Sequence, residues 1–280
     1  LLFSDNEPGF YWHAWAEIHD GHQWVGIDPA WNETVIDAAH IRMSDEKNDS
    51  KWTSLVGELN IQVVDHAKSV DGASSAGQEM FTISGHSDVV LSVSFSPDGN
   101  RIASGGDDDF GKAGEIKVWD ANTGKEILAL KGHSKVVSSV GFSPDGKWIV
   151  SGSYDKTLKV WDAQTGQETL TLKGHASPVT SVSFSPDGER IVSGGGEIGK
   201  PGEIKVWDAD SGKDTLTLTG HSDPVWNVCF SPAGNRLASA SSDKTVKIWN
   251  AVSGREVRTL KGHLEPVIRV CSSPDGQRLV

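Results

Sequence analysis

The segment "GHSKVVSSVGFSPDGKWIVSGSYDKTLKVWD", residues 132–162, alternates apolar and polar side chains in short runs broken by turn residues. A period of two sends one face of each run to a core, which reads as strand rather than helix. In "SPDG", residues 143–146, proline pre-sets φ and glycine takes the position that needs φ > 0. A second turn, "DAQTG", follows at 162–166 and is built the same way. Short strands joined by hairpin turns are the expected local structure.

The unit recurs. Gly-His pairs stand at 85–86, 132–133, 174–175, 220–221 and 262–263, with spacings of 47, 42, 46 and 42. An alternating run and Ser-Pro follow each pair, as in "VVLSVSFSPDGNRIASG" and "PVTSVSFSPDGERIVSG". Four of the repeats then close on "IKVWD", "LKVWD", "IKVWD" or "VKIWN". Repetition at this period marks a repeat architecture. The pattern resembles the WD-repeat β-propeller family over about 200 residues, which implies blades of four antiparallel strands. The expected fold class is therefore mainly β: a partial propeller of four full repeats plus part of a fifth, over residues 79–280.

The resemblance also implies a hydrogen-bonded tetrad of His, Ser, Asp and Trp inside a blade. It falls on His133, Ser151, Asp155 and Trp161, and on His221, Ser239, Asp243 and Trp249. In both sets the aspartate lies 22 residues after the histidine, and the same offset selects Asp108 from His86 and Glu197 from His175. The longer periods then come from inserts in one loop, "DDFGKAGEI" and "EIGKPGEI", with Glu197 departing from the aspartate pattern. The repeat histidines read as buried and satisfied rather than as ligands or catalysts. Cys229 and Cys271 share the position held elsewhere by Ser94, Gly141 and Ser183, and read as small residues between blades.

Charge narrows the partners. The net charge of −12 divides into −9 for residues 1–78 and −3 for residues 79–280. Neither part offers the basic surface that nucleic acid requires, and no apolar run reaches membrane-spanning length. Two cysteines are too few for a disulfide framework or a thiolate zinc site. No metal and no cofactor is expected. The chain starts without methionine and stops inside a repeat, so it reads as a fragment of a longer protein, cytoplasmic by default. Neither oligomeric state nor total blade number is legible.

Before the repeats, "YWHAWAEIHDGHQWVGIDPAW" occupies residues 11–31. Asp-Gly between alternating segments signals a two-residue hairpin. If Asp20 and Gly21 are its loop, His19 faces His22, Glu17 faces Trp24, and His13 faces Asp28. A carboxylate opposite an imidazole can fix its tautomer, although a simple polar pair near a sheet edge has the same geometry. The stretch, with "VIDAAHIRMS" after it, resembles the C-terminal part of a transglutaminase-like (transglutaminase/protease superfamily) domain, an α+β fragment over residues 1–65. That resemblance implies His13 as general base and Asp28 as its orienting acid, with the nucleophilic cysteine upstream of this chain. The chain alone is then expected to be inactive. "KWTSLVGE" at 51–58 suggests a short helix, and residues 66–78 a flexible linker.

Two functions from different classes follow. One is a protein-interaction scaffold joined to a thiol acyl-transfer module; the other is a scaffold with a catalytically dead module. In either, protein or peptide partners are expected on the face carrying the Gly-His loops. Five residues after each histidine stand Leu91, Ser138, Thr180, Trp226 and Ile268, a position that varies while the valines at offsets four and seven stay fixed. Trp226 and Tyr154, with Leu91 and Ile268, are the candidate partner-binding residues. The alternative for Trp226 is filling a gap between blades.

Overall fold

A computed structural model describes residues 82–107 and 113–280, together with four short strands in the first 62 residues. The chain divides into two compact units, Leu1–Gly85 and His86–Val280. In the first unit, β1 (Ile18–His19) pairs with β2 (Trp24–Val25), and β3 (His40–Arg42) pairs with β4 (Asn60–Gln62), both antiparallel. The hairpin expected around Asp20-Gly21 is present, but its register differs. His19 pairs with Trp24 and Ile18 with Val25, so the connection is the four residues 20–23 rather than two. Glu17 is not the partner of Trp24. His13, Asp28, the helix at 51–58 and the linker at 66–78 lie outside the described residues.

The second unit contains four sheets of four strands, each strand hydrogen-bonded to the next in sequence. The first blade is β5 (Val90–Phe95), β6 (Arg101–Asp107), β7 (Gly114–Asp120) and β8 (Glu126–Lys131). The second is β9 (Val137–Phe142), β10 (Trp148–Ser153), β11 (Thr157–Asp162) and β12 (Glu168–Lys173). The third is β13 (Val179–Phe184), β14 (Arg190–Gly195), β15 (Gly202–Asp208) and β16 (Asp214–His221). The fourth is β17 (Val225–Phe230), β18 (Arg236–Ser241), β19 (Thr245–Asn250) and β20 (Glu256–Lys261). No helix occurs among the described residues.

The meander topology follows from turn chemistry. Gly146, at φ 70°, closes the β9–β10 hairpin, and Asp145 accepts from the Lys147 backbone N–H and the Ser143 hydroxyl. Successive blades then bury their faces against each other. Val150, Leu158, Val160 and Leu172 of the second blade form one cluster with Val179, Val182, Phe184 and Trp207 of the third. Each large side chain removed from water contributes roughly 1.5–3 kcal/mol. Close approach needs a small residue on the second strand: a Cβ at Gly152 would stand 2.7 Å from the methyls of Val179 and Val182.

The fifth repeat forms only a partial hairpin. Cys271 and Val280 exchange two backbone hydrogen bonds, and Val267 N–H donates to Ser241 O of the fourth blade. Residues 82–84, the described part of "EMFTIS" at 79–84, lie outside any strand.

Candidate functional site

Inside the second blade, β9 and its preceding loop, β10, β11 and their connecting turn bring four polar side chains together. Trp161 Nε1–H donates to Ser151 Oγ at 2.8 Å, and Ser151 Oγ lies 2.8 Å from His133 Nε2. His133 Nδ1 is 2.9 Å from Asp155 Oδ2. A carboxylate facing Nδ1 places the imidazole proton there, so Nε2 accepts the serine hydroxyl. Donation thus runs from Trp161 to Ser151 to His133, and separately from His133 to Asp155. The fourth blade repeats this: His221–Ser239 is 2.7 Å, His221–Asp243 2.7 Å and Trp249–Ser239 2.9 Å. Both expected tetrads are assembled.

The aspartates are held by more than histidine. Asp155 also accepts from the Ser134 and Thr157 backbone N–H groups and from the Thr157 hydroxyl, and its own N–H donates to Ser153 Oγ. Burial alone would raise its carboxyl, but these bonds and His133 hold it well below the usual range. Asp243 is shifted in the same direction, against burial, by Thr245 and His221. Burial pushes the His221 imidazole down, with Asp243 opposing it only in part. His221 is thereby kept neutral at pH 7.

In the first and third blades the carboxylate comes from elsewhere. Glu197 does not reach His175; it is exposed and pairs with Lys200 at 2.5 Å. The acid beside His175 is Glu203, with Oε2 3.0 Å from Nδ1. Beside His86 it is Glu115, at 3.2 Å, while Asp108 lies outside the described residues. Both glutamates occupy the strand position held by Thr157 and Thr245 in the other blades, four residues before the tryptophan. The inserts fall between the second and third strands, so counting 22 residues forward from histidine stops short of the third strand that carries the glutamate. Counting back from tryptophan would have found Glu115 and Glu203, and "GEIKVWD" in both blades carried that signal.

The rest of these two networks is unchanged. Ser104 and Ser193 take indole N–H groups from Trp119 and Trp207 at 2.7 and 2.8 Å and approach histidine at 2.5 and 2.7 Å. The glutamates meet histidine off the hydrogen-bond axis: His86 Nδ1, Glu115 Oε2, His175 Nδ1 and Glu203 Oε2 are buried without an aligned bond. Glu115 and Glu203 also approach Lys117 and Lys205 at 3.1 and 3.5 Å. Those lysines lie over Trp119 and Trp207, 5.8 and 5.9 Å from the ring centroids.

The variable position five residues after histidine has a structural cause. Leu91, Ser138, Thr180 and Trp226 are each passed over in the pairing of the first and second strands, as the extra residue of a β-bulge. Outside the ladder, the side chain is free to differ. Ser138 and Thr180 are buried and use that freedom to link blades, donating to Val179 O at 2.6 Å and Val225 O at 2.5 Å. Trp226 is half-buried rather than fully exposed, and its Nε1–H donates to Ser242 Oγ at 2.5 Å. Tyr154 is also half-buried, and burial pushes its phenol up. Leu91 is 37% exposed and Ile268 half-buried. The loop 196–201 joins β14 to β15 at the Gly-His end of its blade, where Gly202 pairs with His221.

A second set of links runs along the innermost strands. Ser92 Oγ accepts Val140 N–H, Ser139 Oγ accepts Val182 N–H, Ser181 Oγ accepts Val228 N–H, and Asn227 Oδ1 accepts Val270 N–H. Cys229 and Cys271 are half-buried and in no disulfide, and Cys229 packs against Ala238, Ala240, Val267 and Val270. Among the described residues, no cluster of three or more His, Cys, Asp or Glu is placed to hold a metal ion, and no helix is long and apolar enough to cross a membrane.

The family model described as WD domain, G-beta repeat matches residues 77–120, 124–162, 166–208, 212–250 and 254–280. It leaves residues 1–76 unmatched. No curated protein matches the chain.

Proposed function

Since the chain belongs to the WD-domain, G-beta repeat family, we propose that its repeats are a protein-interaction scaffold whose partner surface is the Gly-His face, with Trp226 and Tyr154 as anchors and Leu91 and Ile268 beside them. The observation that carries this reading is the bulge. It frees one residue per blade from the ladder at a fixed place, so side chains there vary without cost to the sheet. Half-buried aromatics are well suited to the role, because their rings are already oriented and lose little entropy on contact. Display of a random peptide library on the 280-residue chain tests it. Peptides selected on the native protein should lose at least tenfold in affinity on Trp226→Ala combined with Tyr154→Ala. Selected peptides indifferent to both changes would refute the rim assignment.

For residues 1–65 we propose the transglutaminase-like reading, supported by the sequences "HAWAEIHDGHQW" and "GIDPAW". In it His13 is general base and Asp28 its orienting acid for a cysteine supplied from outside this chain. The chain by itself then has no amide-hydrolysing or acyl-transfer activity. In a longer protein supplying that cysteine, His13→Ala lowers turnover by a few orders of magnitude. Turnover of an amide substrate by the 280-residue chain would contradict the assignment, as would an unchanged rate in the His13 variant.

A further inference from the structure

At the end of the blades opposite the Gly-His loops, an arginine bridges two of the junctions. Arg101 of the first blade sends its guanidinium to Ala163 O at 2.7 Å and Gly146 O at 2.8 Å of the second, and stands over Phe142 with 5.3 Å to the ring centroid. Arg190 of the third blade repeats this on the fourth, donating to Ala251 O at 3.2 Å and Gly234 O at 2.8 Å, 5.1 Å from the Phe230 centroid. The fork, two carbonyls and an aromatic face therefore form a recurrent receptor for guanidinium.

Between the second and third blades the receptor is present and its arginine is not. The equivalent residue is Trp148, 37% exposed, and the receiving atoms are Gly188 O, Ala209 O and the Phe184 ring. No side chain among the described residues hydrogen-bonds either carbonyl. Ala163 and Ala251 are buried to 2% exposure beneath their arginines, whereas Ala209 is half-buried. In place of the bridge lies a groove of about 840 Å³, bordered by Trp148, Leu170 and Phe184 and by five carboxylates. The carboxylates are Asp145, Asp187, Glu189, Asp208 and Asp210, and no basic side chain lines the groove. Lys147 neutralises Asp145 from outside at 2.9 Å, and Arg190 approaches Asp187 at 3.5 Å.

We propose that this groove binds an arginine side chain of a partner polypeptide, seating its guanidinium on Gly188 O, Ala209 O and Phe184 as Arg101 and Arg190 are seated at the neighbouring junctions. Trp148 supplies a second aromatic wall, and the carboxylates select for positive charge. Lysine fits less well, since a point-charge ammonium lacks the fork that two divergent carbonyls require. The site is separate from the rim of Trp226 and Tyr154, so either assignment can fail without the other.

The probe is the acetylated, amidated pentapeptide Ala-Ala-Arg-Ala-Ala, with lysine and citrulline versions, titrated into the ¹⁵N-labelled 280-residue chain. The expected result is saturable shifts at the Gly188 and Ala209 amides and the Trp148 indole, at least tenfold weaker with citrulline and several-fold weaker with lysine. Trp148→Arg should abolish the response by filling the groove from within, and should raise the unfolding midpoint. Asp187→Asn should weaken binding several-fold with little change in fold, and Trp226→Ala should leave the response intact. No saturation by the arginine peptide, or an equal response to citrulline, would overturn the proposal. Equal binding of the lysine peptide would overturn its guanidinium selectivity.

Discussion

The second and fourth blades and the first and third solve one problem in two ways. All four bury a histidine against a serine and a tryptophan, and all four need a carboxylate at Nδ1. In the second and fourth, a tight turn supplies aspartate, and the turn is itself stitched by Ser153 or Ser241 and by Thr157 or Thr245. In the first and third, glycine replaces that serine, the turn opens into an insert, and a glutamate on the third strand reaches across instead. One extra methylene substitutes for a whole turn. The outcome is a close carboxylate without alignment, so the lengthened blades keep an acid beside Nδ1 and give up the directional bond. Loop length can therefore vary at this end of a blade while the buried histidine keeps a carboxylate beside it.

The largest expected effect should be blind to the difference. Ser151→Ala and Ser193→Ala each leave a buried indole N–H and an imidazole nitrogen unpaired, at about 2–4 kcal/mol. Urea unfolding should give similar losses for the two, and a gap above about 1 kcal/mol would show that the hub itself differs between blade types. Next comes the carboxylate. Asp155→Asn should cost about 2 kcal/mol and Glu203→Gln about 1 kcal/mol, because only the aspartate also holds a turn. The reverse order would break the comparison. Sharper still is replacing residues 195–203 by Ser-Tyr-Asp-Lys-Thr, the sequence of residues 153–157. The exchange gives the third blade an aspartate turn and should stabilise it by about 1 kcal/mol.

Acid acts on both blade types. Burial pushes His86 and His221 below the ordinary 6.5. Between pH 7 and 5 the unfolded chain then binds more protons at these sites, and stability falls as pH drops. Asp155, Asp243 and Glu203 sit below the usual carboxylate range, Glu203 chiefly through His175. Their contribution is complete above about pH 5 and is lost progressively below it, as pH falls from the unfolded values toward the lower folded ones. Thermal midpoints should decline from pH 7 to 5 and more steeply under pH 4, and His221→Gln should flatten the first part. A midpoint that rises on acidification to pH 5 would reverse the assigned neutrality. The smallest effect belongs to Glu197→Ala, within about 0.5 kcal/mol of native, since it is exposed and its ion pair is with an exposed Lys200.

The repeat was legible because alternation, turn residues and a fixed period agree. The tetrads of His133 and His221 were legible for the same reason, since chain offset equals spatial offset wherever the turn is short. The offset from His175 failed at Glu197 because an insert separates the two quantities, whereas the stretch from Glu203 to Trp207 keeps them together. The bulge at Ser138 and Trp226 was visible as variability but not as a cause, because a bulge is a property of pairing between strands. The hairpin at residues 18–25 shows the same limit: Asp-Gly marked the turn, while the four-residue connection set the register.

The links between blades share a polarity. Ser92, Ser139, Ser181 and Asn227 reach forward from one blade to an N–H of the next, Ser138 and Thr180 reach forward to a carbonyl, and Arg101 and Arg190 do likewise. In these hydrogen bonds the earlier blade contributes the side chain and the later one its backbone, while the Phe142 and Phe230 rings add a side-chain contact from the later blade beneath the two arginines. Backbone is the same in any repeat, so these hydrogen bonds ask little of a successor beyond the apolar face that every repeat carries. A gene encoding such a chain can duplicate, delete or exchange single repeats without a matching change next door, and joints that work for one pair of neighbours work for newcomers.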